Sequence, residues 1–406
     1  MKYITMILGI VLFVSCINKE RRVHPFSPEQ IASLKLDSTT IFYVNEDSVI
    51  TIDLNPFLQE QSFDIMPFVS DIKVIPLETT DKSLIDAIYK IIVSSAHVYI
   101  MDRFKGGGII IFDHKGNFLK RISSGQGPGE LNRLYDIDYN EEDSTLIAYQ
   151  HSSFLFFSAE GKFIRNEKLP FGFYNFLVTP NGYLFKTIDK YDNPHLDKYM
   201  DYTFLVTDKD FQIKSVGIPR QPLGKVLSGY HYLYKNSHDI KITHYYTDTI
   251  FQYLPLSNTL KAAYILDYKD KKLPDSYLDG KSWEKFEKAT RDNNYYFNIG
   301  EYLETDSQNV FYLKNEYIRL QTIVYRNKRT GHLLGGTNIN IDLNQMPPIG
   351  FPKTTAGNYF VSLHYSNEKD SLLSNSTTLS ERDKLIIKNM KEDDNPALIF
   401  FRLKEF

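Results

Sequence analysis

Six stretches of the chain share one pattern of apolar and polar positions: an apolar or aromatic strand, a short polar turn and a second strand. The aligned positions are Phe112, Phe157, Leu205, Phe251, Tyr325 and Phe400. They are 45, 48, 46, 74 and 75 residues apart. A period in the forties built from β-hairpins is typical of the blade of a β-propeller. The pattern therefore predicts an all-β fold, a six-bladed β-propeller.

The turns of the two clearest hairpins end in glycine. Residues 109–112 lead into a turn that ends at Gly116, and residues 154–157 lead into one that ends at Gly161. Glycine supplies the positive φ that a tight hairpin needs, and the polar residues before it tolerate the same bend.

Two helical insertions account for the two long intervals. Residues 281–291 place Trp283, Phe286 and Thr290 on one face at helical spacing, and Thr378 with Glu381 is typical of a capping box that opens a helix to about Met390. Removing these insertions restores the period. We also predict that the ring is closed by pairing of a strand at 72–75 with the C-terminal strand at 397–403.

The N-terminus has the pattern of a lipoprotein signal. A basic start is followed by an apolar run at 4–14, too short to span a bilayer, and then by Ser15 and Cys16. The sequence LFVSC resembles a bacterial lipobox, although Phe13 stands where leucine is usual, and Cys16 is the only cysteine of the chain. We predict a signal peptide at 1–15, lipid attachment at Cys16, a flexible tether at 16–47 and the propeller at 48–406.

Composition limits the partners. The 406 residues include 47 basic and 50 acidic side chains, so the charges are nearly balanced. Because the chain lacks a strong positive field, we do not expect nucleic acid as a partner. With Cys16 as the sole cysteine, the chain can form no internal disulfide. The expected partners are a membrane, through the lipid, and an unidentified small-molecule, glycan or protein ligand.

Several motifs occur in the order seen in a known family. They are IPLETT at 75–80, the hairpin at 109–116, GQGPGE at 125–130, DTIF at 248–251 and DNPA at 394–397. From about residue 49 onwards the chain resembles the six-bladed β-propeller lipoproteins of Bacteroidetes, which are distantly similar to NHL-repeat propellers. The resemblance implies the fold, a lipid anchor and a location in the cell envelope, and it carries over no catalytic residue. Residues 190–244 match it poorly.

The motifs that suggest chemistry do not survive inspection. The glycine-rich stretch 125–129 leads into a strand, whereas a phosphate-binding loop leads into a helix. The Gly-Lys-Ser sequence at 280–282 lacks the first glycine of a P-loop, and the two Ser-x-x-Lys sequences lack supporting motifs. We therefore predict no catalytic residue, no cofactor and no metal ligand.

Two sets of residues are the best candidates for a ligand site. If a metal is bound, its ligands are sought first among His231, His238 and His244. If a glycan is bound, the pairs Tyr245–Tyr246 and Tyr295–Tyr296 could stack on sugar faces, although packing between blades is the more common role of such residues.

Taken together, these patterns favour a cell-envelope, lipid-anchored binding or protein-interaction module, with glycan utilisation as one context. The alternative is a metal-dependent hydrolase or lyase, similar to a lactonase, with its site at the central channel. Carboxylate, amide and imidazole groups converging at the channel would favour the enzyme. Tyrosine, serine and backbone groups would favour the binding module.

Overall fold

Six sheets, each with four antiparallel strands, surround one axis in the computed structural model of the chain. The structure describes residues 26–58, 63–103, 107–187, 193–220, 232–236, 240–244, 246–278, 282–315, 320–338, 351–368 and 378–406. The predicted signal peptide and Cys16 lie outside these residues. The all-β, six-bladed β-propeller expected from the repeat is confirmed.

Blades 1 to 5 are each built from four consecutive strands of the chain. Three strands precede the ring: β1 (Thr40–Ile41), β2 (Val44–Asn45) and β3 (Ile50–Asp53). The next strand, β4 (Val69–Pro76), belongs to the last blade. Blade 1 contains β5 (Ile88–Val93), β6 (Val98–Asp102), β7 (Gly108–Phe112) and β8 (Phe118–Ser123). Blade 2 contains β9 (Leu134–Asn140), β10 (Thr145–Gln150), β11 (Ser153–Ser158) and β12 (Phe163–Lys168). Blade 3 contains β13 (Phe173–Thr179), β14 (Gly182–Thr187), β15 (Tyr202–Asp208) and β16 (Ile213–Pro219).

The second half of the ring follows the same plan. Blade 4 contains β17 (Leu233–Lys235), β18 (Ile240–Ile242), β19 (Thr249–Leu254) and β20 (Thr259–Asp267). Blade 5 contains β21 (Phe297–Glu304), β22 (Gln308–Asn315), β23 (Leu320–Asn327) and β24 (Leu333–Asn338). Blade 6 contains β25 (Thr354–Ala356), β26 (Tyr359–His364), β27 (Ala397–Leu403) and β4. The boundaries of blades 3 and 4 could not be drawn from the sequence pattern.

The helices are short. The α-helices are α1 (Pro28–Ser33), α2 (Trp283–Asp292) and α3 (Glu381–Asn389). Single 3₁₀ turns occupy Leu36–Ser38, Asn55–Phe57, Met66–Phe68, Lys269–Lys271, Asp275–Tyr277 and Ser366–Glu368, and a longer 3₁₀ segment occupies Pro194–Asp201. No helix within the described residues is long and apolar enough to cross a bilayer.

The first strand of each blade lies nearest the axis. The strands β5, β9, β13, β17, β21 and β25 contact one another in this order, and β25 contacts β5. All six aligned positions, from Phe112 to Phe400, fall on the third strand of a blade. The repeat in the sequence therefore identified equivalent positions in all six blades.

The blades are held together by aromatic side chains packed between neighbouring sheets. The Phe154 ring of blade 2 lies 4.4 Å from the Phe176 ring and 6.0 Å from the Phe185 ring of blade 3, measured between centroids. Aromatic pairs of this kind contribute about 0.5–1.5 kcal/mol each beyond the area that they bury. Packing of this kind stabilises the interface between blades 2 and 3.

Blade 6 closes the ring with strands from both ends of the described chain. In the antiparallel pair of β27 and β4, Ile399 is opposite Val74 and Phe401 is opposite Ile72. The predicted pairing of 72–75 with 397–403 is confirmed. Helix α3 covers the outer edge of β4, because Asp383 Oδ1 accepts a hydrogen bond from the Val74 N–H group at 3.3 Å.

Both helical insertions are present, with one difference at α3. The helix predicted at 281–291 is α2, and its Phe286 and Thr290 are buried. Helix α3 begins at Glu381, whereas the predicted capping box began at Thr378. Its N-cap is Ser380, whose hydroxyl accepts a hydrogen bond from the Asp383 N–H group at 3.1 Å and donates one to the carboxylate of Asp383.

The prediction of a flexible tether at 16–47 is wrong for its described part. Strand β1 pairs in parallel with β16, the outermost strand of blade 3, and β2 and β3 pair with β20, the outermost strand of blade 4. Helix α1 is fixed by the Gln30 side chain, which donates to the Leu169 carbonyl at 3.1 Å. Outer strands offer unpaired backbone groups, and this segment satisfies them. We call residues 26–53 the strap.

Ring closure generates a prediction at Lys73, an exposed position opposite Phe400 in β27. Because the Val74 N–H group faces Asp383, alternation along the strand directs the Lys73 N–H group towards β27. We expect Lys73→Pro, which removes this donor, to lower the free energy of unfolding by about 2–4 kcal/mol in urea titrations. The Lys73→Ala variant keeps the donor and should lose less than about 1 kcal/mol. Equal losses in the two variants would contradict the closure.

Candidate functional site

The three tyrosines Tyr89, Tyr135 and Tyr174 occupy the same place in blades 1, 2 and 3. Each is the second residue of the first strand of its blade. In each blade the pairing of the first and second strands skips this tyrosine, so that it forms a β-bulge. A bulge leaves its extra residue out of the ladder and changes the direction of its side chain. All three tyrosine side chains are partly exposed, at the face of the propeller where the first strands begin.

The three tyrosines approach one another from separate blades. The side chains of Tyr89 and Tyr174 interact, although they belong to blades 1 and 3. Burial and the neighbouring Tyr174 raise the pKa of Tyr89 well above its usual value. The Arg103 guanidinium carbon lies 4.6 Å from the centroid of the Tyr89 ring and 6.0 Å from that of Tyr135. One cation therefore bridges blades 1 and 2.

A polar residue follows each of these tyrosines, and the three polar residues contact one another. Lys90 Nζ lies 2.8 Å from Asp136 Oδ1, and Asn175 Nδ2 lies 3.4 Å from Asp136 Oδ2. We call the three tyrosines together with Lys90, Asp136 and Asn175 the axial mouth. The tyrosines form its rim and the polar residues its floor.

The Asp136 carboxylate in the floor is buried and has several donors. Besides Lys90 and Asn175, the backbone N–H groups of Ile137 and Phe176 donate to it at 2.9 and 3.0 Å. Burial raises the pKa of Asp136, while Lys90 and the backbone donors oppose that shift. A carboxylate so fully occupied fixes the geometry of the floor and is poorly placed to take a proton from a ligand.

The amide of Asn175 supplies an acceptor that the described residues leave without a partner. Asn175 is 3% exposed, and its Oδ1 atom has no hydrogen bond among them. A buried acceptor without a donor costs about 1–3 kcal/mol. A hydroxyl or N–H group that entered the mouth would remove this cost.

Lys186 forms one wall beside the floor, because it is opposite Asn175 in the pairing of β13 and β14. Its Nζ atom lies 3.9 Å from the centroid of the Tyr232 ring and 5.2 Å from that of Tyr174. Burial, together with the nearby charge of Arg220, lowers the pKa of Lys186 to about 7. The tyrosine faces act in the opposite direction, since they attract the charged amine.

The opposite end of the channel is an ion-pair network with its donors already engaged. The buried carboxylate of Glu304 lies 2.6 Å from Lys328 Nζ and 3.7 Å from Lys241 Nζ, and the Tyr302 hydroxyl donates to it. Asp138 accepts from the Val178 N–H group at 2.7 Å. Lys241 of blade 4 reaches Glu304 of blade 5, and the hydrogen bond between Asp138 and Val178 joins β9 to β13. These contacts hold neighbouring blades together, so we assign this end a structural role.

The histidines and tyrosine pairs that the sequence suggested as ligand-site candidates are not part of the axial mouth. His231, His238 and Tyr245 lie outside the described residues, and His244 is buried with its ring 6.2 Å from that of Phe204. Tyr246 and Tyr296 are buried in packing clusters, and Tyr295 is partly exposed. Within the described ranges no group of three or more His, Cys, Asp or Glu side chains could hold a metal ion.

The sequence contains a signal for the axial mouth that the search for motifs missed. The pairs Tyr89–Lys90, Tyr135–Asp136 and Tyr174–Asn175 each place a tyrosine and a polar residue at the start of a first strand. The glycine-rich stretch 125–129 connects β8 to β9 and leads into a strand, as the sequence predicted. The Gly127 N–H group donates to the Glu130 carboxylate at 2.8 Å.

Comparisons with known proteins agree with this architecture. Fold and sequence define a six-bladed β-propeller. The chain belongs to the family described as Domain of unknown function (DUF4934), which it matches over residues 49–402. No curated protein matches the chain.

Several solved structures are similar to this chain at low sequence identity. A Bacteroides fragilis protein described as exported is similar with a TM-score of 0.71 and 17% identity, over 88% of this chain and 100% of that one. The extracellular domain of a one-component system of B. thetaiotaomicron gives a TM-score of 0.35 at 14% identity, over 73% of this chain and 36% of that one. BamB of Moraxella catarrhalis gives 0.37 at 9% identity, over 83% of this chain and 99% of that one. At these identities the first match supports the fold alone.

The buried amine generates a prediction about stability and pH. Lys186 has a pKa of about 7 in the folded protein and about 10.4 in an unfolded chain, so the unfolded state binds more protons between these values. Stability therefore rises with pH across this window, and the whole cost of burying the charge is present below it. We expect Lys186→Met to raise the free energy of unfolding at pH 7, on the order of 3 kcal/mol, and to flatten the rise.

The control for this measurement is Lys168→Met, at an exposed position on β12. It should leave the slope of unfolding free energy against pH as in the parent protein. If Lys186→Met destabilises the fold at every pH and the slope persists, the assignment of a neutralised amine at the mouth is wrong.

Proposed function

We propose that this protein is a binding module of the cell envelope and that its axial mouth binds a saccharide. The observation that carries the proposal is the bulge repeated in three consecutive blades, which places Tyr89, Tyr135 and Tyr174 around one opening. A bulge interrupts sheet pairing, and such irregularities concentrate at functional sites.

The chemistry of the mouth suits a sugar ring. Sugars have an apolar face of C–H groups, which stacks on aromatic rings, and hydroxyl groups around the edge, which need hydrogen-bond partners. The rim supplies three partly exposed tyrosines, and the floor supplies the free Asn175 Oδ1 acceptor. A ligand that stacked on the rim would bring its hydroxyl groups towards this floor.

Binding is favoured over catalysis by the state of the floor. The Asp136 carboxylate is paired with Lys90 and holds backbone donors as well. A general base needs an oxygen within reach of the proton that it removes, and a nucleophile needs a base beside it. The described residues of the mouth offer groups that orient a ligand, and we assign them that role.

The location is part of the same proposal. The signal at 1–15 and the lipobox cysteine Cys16 support a lipid-anchored protein of the cell envelope, and the similar B. fragilis protein is described as exported. Phe26, where the strap begins, is ten positions after Cys16, and a chain of this length can span at most about 35 Å. The lipid would therefore hold the propeller close to the membrane, with the strap side nearest.

The saccharide proposal is tested with Tyr174→Ala against an array of oligosaccharides, followed by calorimetric titration of the best ligand. We expect the variant to lower affinity about tenfold, which corresponds to one lost stacking contact. The matched control is Tyr43→Ala, because Tyr43 lies on the strap and is 89% exposed. An unchanged affinity for Tyr174→Ala, or an equal loss for Tyr43→Ala, would place the ligand away from the mouth.

The anchor is tested by growing cells with a labelled fatty acid. The parent chain should incorporate the label and fractionate with membranes, whereas Cys16→Ala should carry none and remain soluble or uncleaved. A second variant, Ser15→Ala, keeps the cysteine and should still be labelled. Absence of label from the parent chain would end the lipoprotein assignment and leave the proposal for the mouth standing.

A further inference from the structure

We infer that the ligand of the axial mouth is an acidic saccharide, one whose sugar carries a carboxylate or sulfate oxyanion. This inference deepens the proposed function and rests on it. Its basis is the convergence of cations around the mouth from three consecutive blades. Arg103 follows β6, Arg133 precedes β9 and Arg220 follows β16. Lys186 on β14 adds a charge when its amine is protonated.

The carboxylate in the floor does not cancel these charges. Asp136 is already paired with Lys90 at 2.8 Å, so the floor pair is close to neutral. No salt bridge among the described residues involves Arg103 or Arg133, and both side chains are exposed. The described part of the mouth is therefore positive, and a field of this sign draws anions to the opening.

Arg103 and Arg133 each pack against a tyrosine ring in a way that leaves their N–H groups available. The Arg103 guanidinium carbon lies 4.6 Å from the centroid of Tyr89, and that of Arg133 lies 5.5 Å from the centroid of Tyr135. A guanidinium group over a ring face directs its N–H groups outwards in its own plane. That fork matches the two oxygens of a carboxylate or sulfate. The same rings are the ones proposed to stack on the sugar.

The backbone at Arg133 is strained. Its φ is 58°, in the left-handed region that favours glycine. A residue with a long side chain costs roughly 1–2 kcal/mol in this conformation. Glycine would relieve the strain but would remove the cation from the mouth.

Lys186 couples anion binding to protonation. Among the described residues, the titratable or charged groups that face Lys186 are Tyr174 on β13, Tyr232 before β17 and Arg220 after β16. In the sheet, Lys186 is also opposite the apolar Phe204 of β15. An oxyanion bound beside Tyr174 would raise the pKa of the amine from about 7. The complex then holds more protons than the free protein at pH 8, so binding takes up protons and weakens as the pH rises above 7.

The experiment compares matched ligands on the whole chain downstream of the signal segment. The probes are trigalacturonic acid, its fully methyl-esterified form, a sulfated galactose trimer and the neutral galactose trimer, within an array of other neutral and acidic oligosaccharides. We expect an acidic probe to bind at least tenfold more tightly than its uncharged counterpart, and the difference to shrink with added salt. The carboxylated and sulfated arms identify the oxyanion.

Three variants test the assigned residues. Arg103→Gln should lower affinity for the acidic probe about tenfold and leave the neutral probe within twofold. Arg133→Gly should lower it five- to tenfold without lowering the thermal midpoint, because the glycine relieves the backbone. Lys186→Met should abolish the proton uptake measured at pH 8 in buffers of different ionisation enthalpy. The charge-matched control is Lys115→Gln, at an exposed turn between β7 and β8.

The outcomes separate this inference from the proposed function. Equal or tighter binding of neutral saccharides, lost in Tyr174→Ala, would overturn the acidic ligand and keep saccharide binding. If binding of the acidic probe is weakened equally by Arg103→Gln, Arg133→Gly and the control Lys115→Gln, the attraction is nonspecific. That result would also overturn the acidic ligand. If no saccharide on the array binds, the proposed function itself fails.

Discussion

Everything at the axis depends on the closure of the ring by β27 and β4. Closure satisfies the edges that an open ring would expose, and it does so without a disulfide, since Cys16 is the only cysteine of the chain. Once the ring is closed, the first strands of all six blades face one channel. Residues that are far apart in the chain, such as Tyr89 and Tyr174, then meet across it. A composite site therefore needs no local motif.

The two ends of the channel use polar residues differently. At the Glu304 end, buried charges are matched by lysines and a tyrosine, so the network holds blades together. At the mouth, local rules are broken: three tyrosines sit in bulges, Asn175 has an unsatisfied acceptor, Arg133 is strained and Lys186 is buried. Each of these features lowers the stability of the fold, and the residues concerned surround one opening. The concentration of these features around one opening, beside three partly exposed tyrosines, is the physical basis for placing the ligand at the mouth.

The fold followed from the sequence because a blade is a local, repeated unit. Phe112 and its five counterparts mark the third strand in every blade, and both insertions were recognised by their helical spacing. The strap was misjudged because β1 and β2 contain two residues each and exist only against the edges of other blades. The mouth was missed because bulges and convergence across the axis leave no periodic trace. The sequence directed attention to adjacent tyrosines such as Tyr295–Tyr296, whereas the tyrosines of the mouth come one each from three blades.

The central claim is that the mouth binds an acidic saccharide, and a crystal structure of the protein soaked with an acidic oligosaccharide tests it most directly. The account predicts a sugar ring stacked on at least one of Tyr89, Tyr135 and Tyr174, with its oxyanion within about 3 Å of the Arg103 or Arg133 donors. A ligand bound at the Glu304 end, or along the strap on the outer strands, would contradict it.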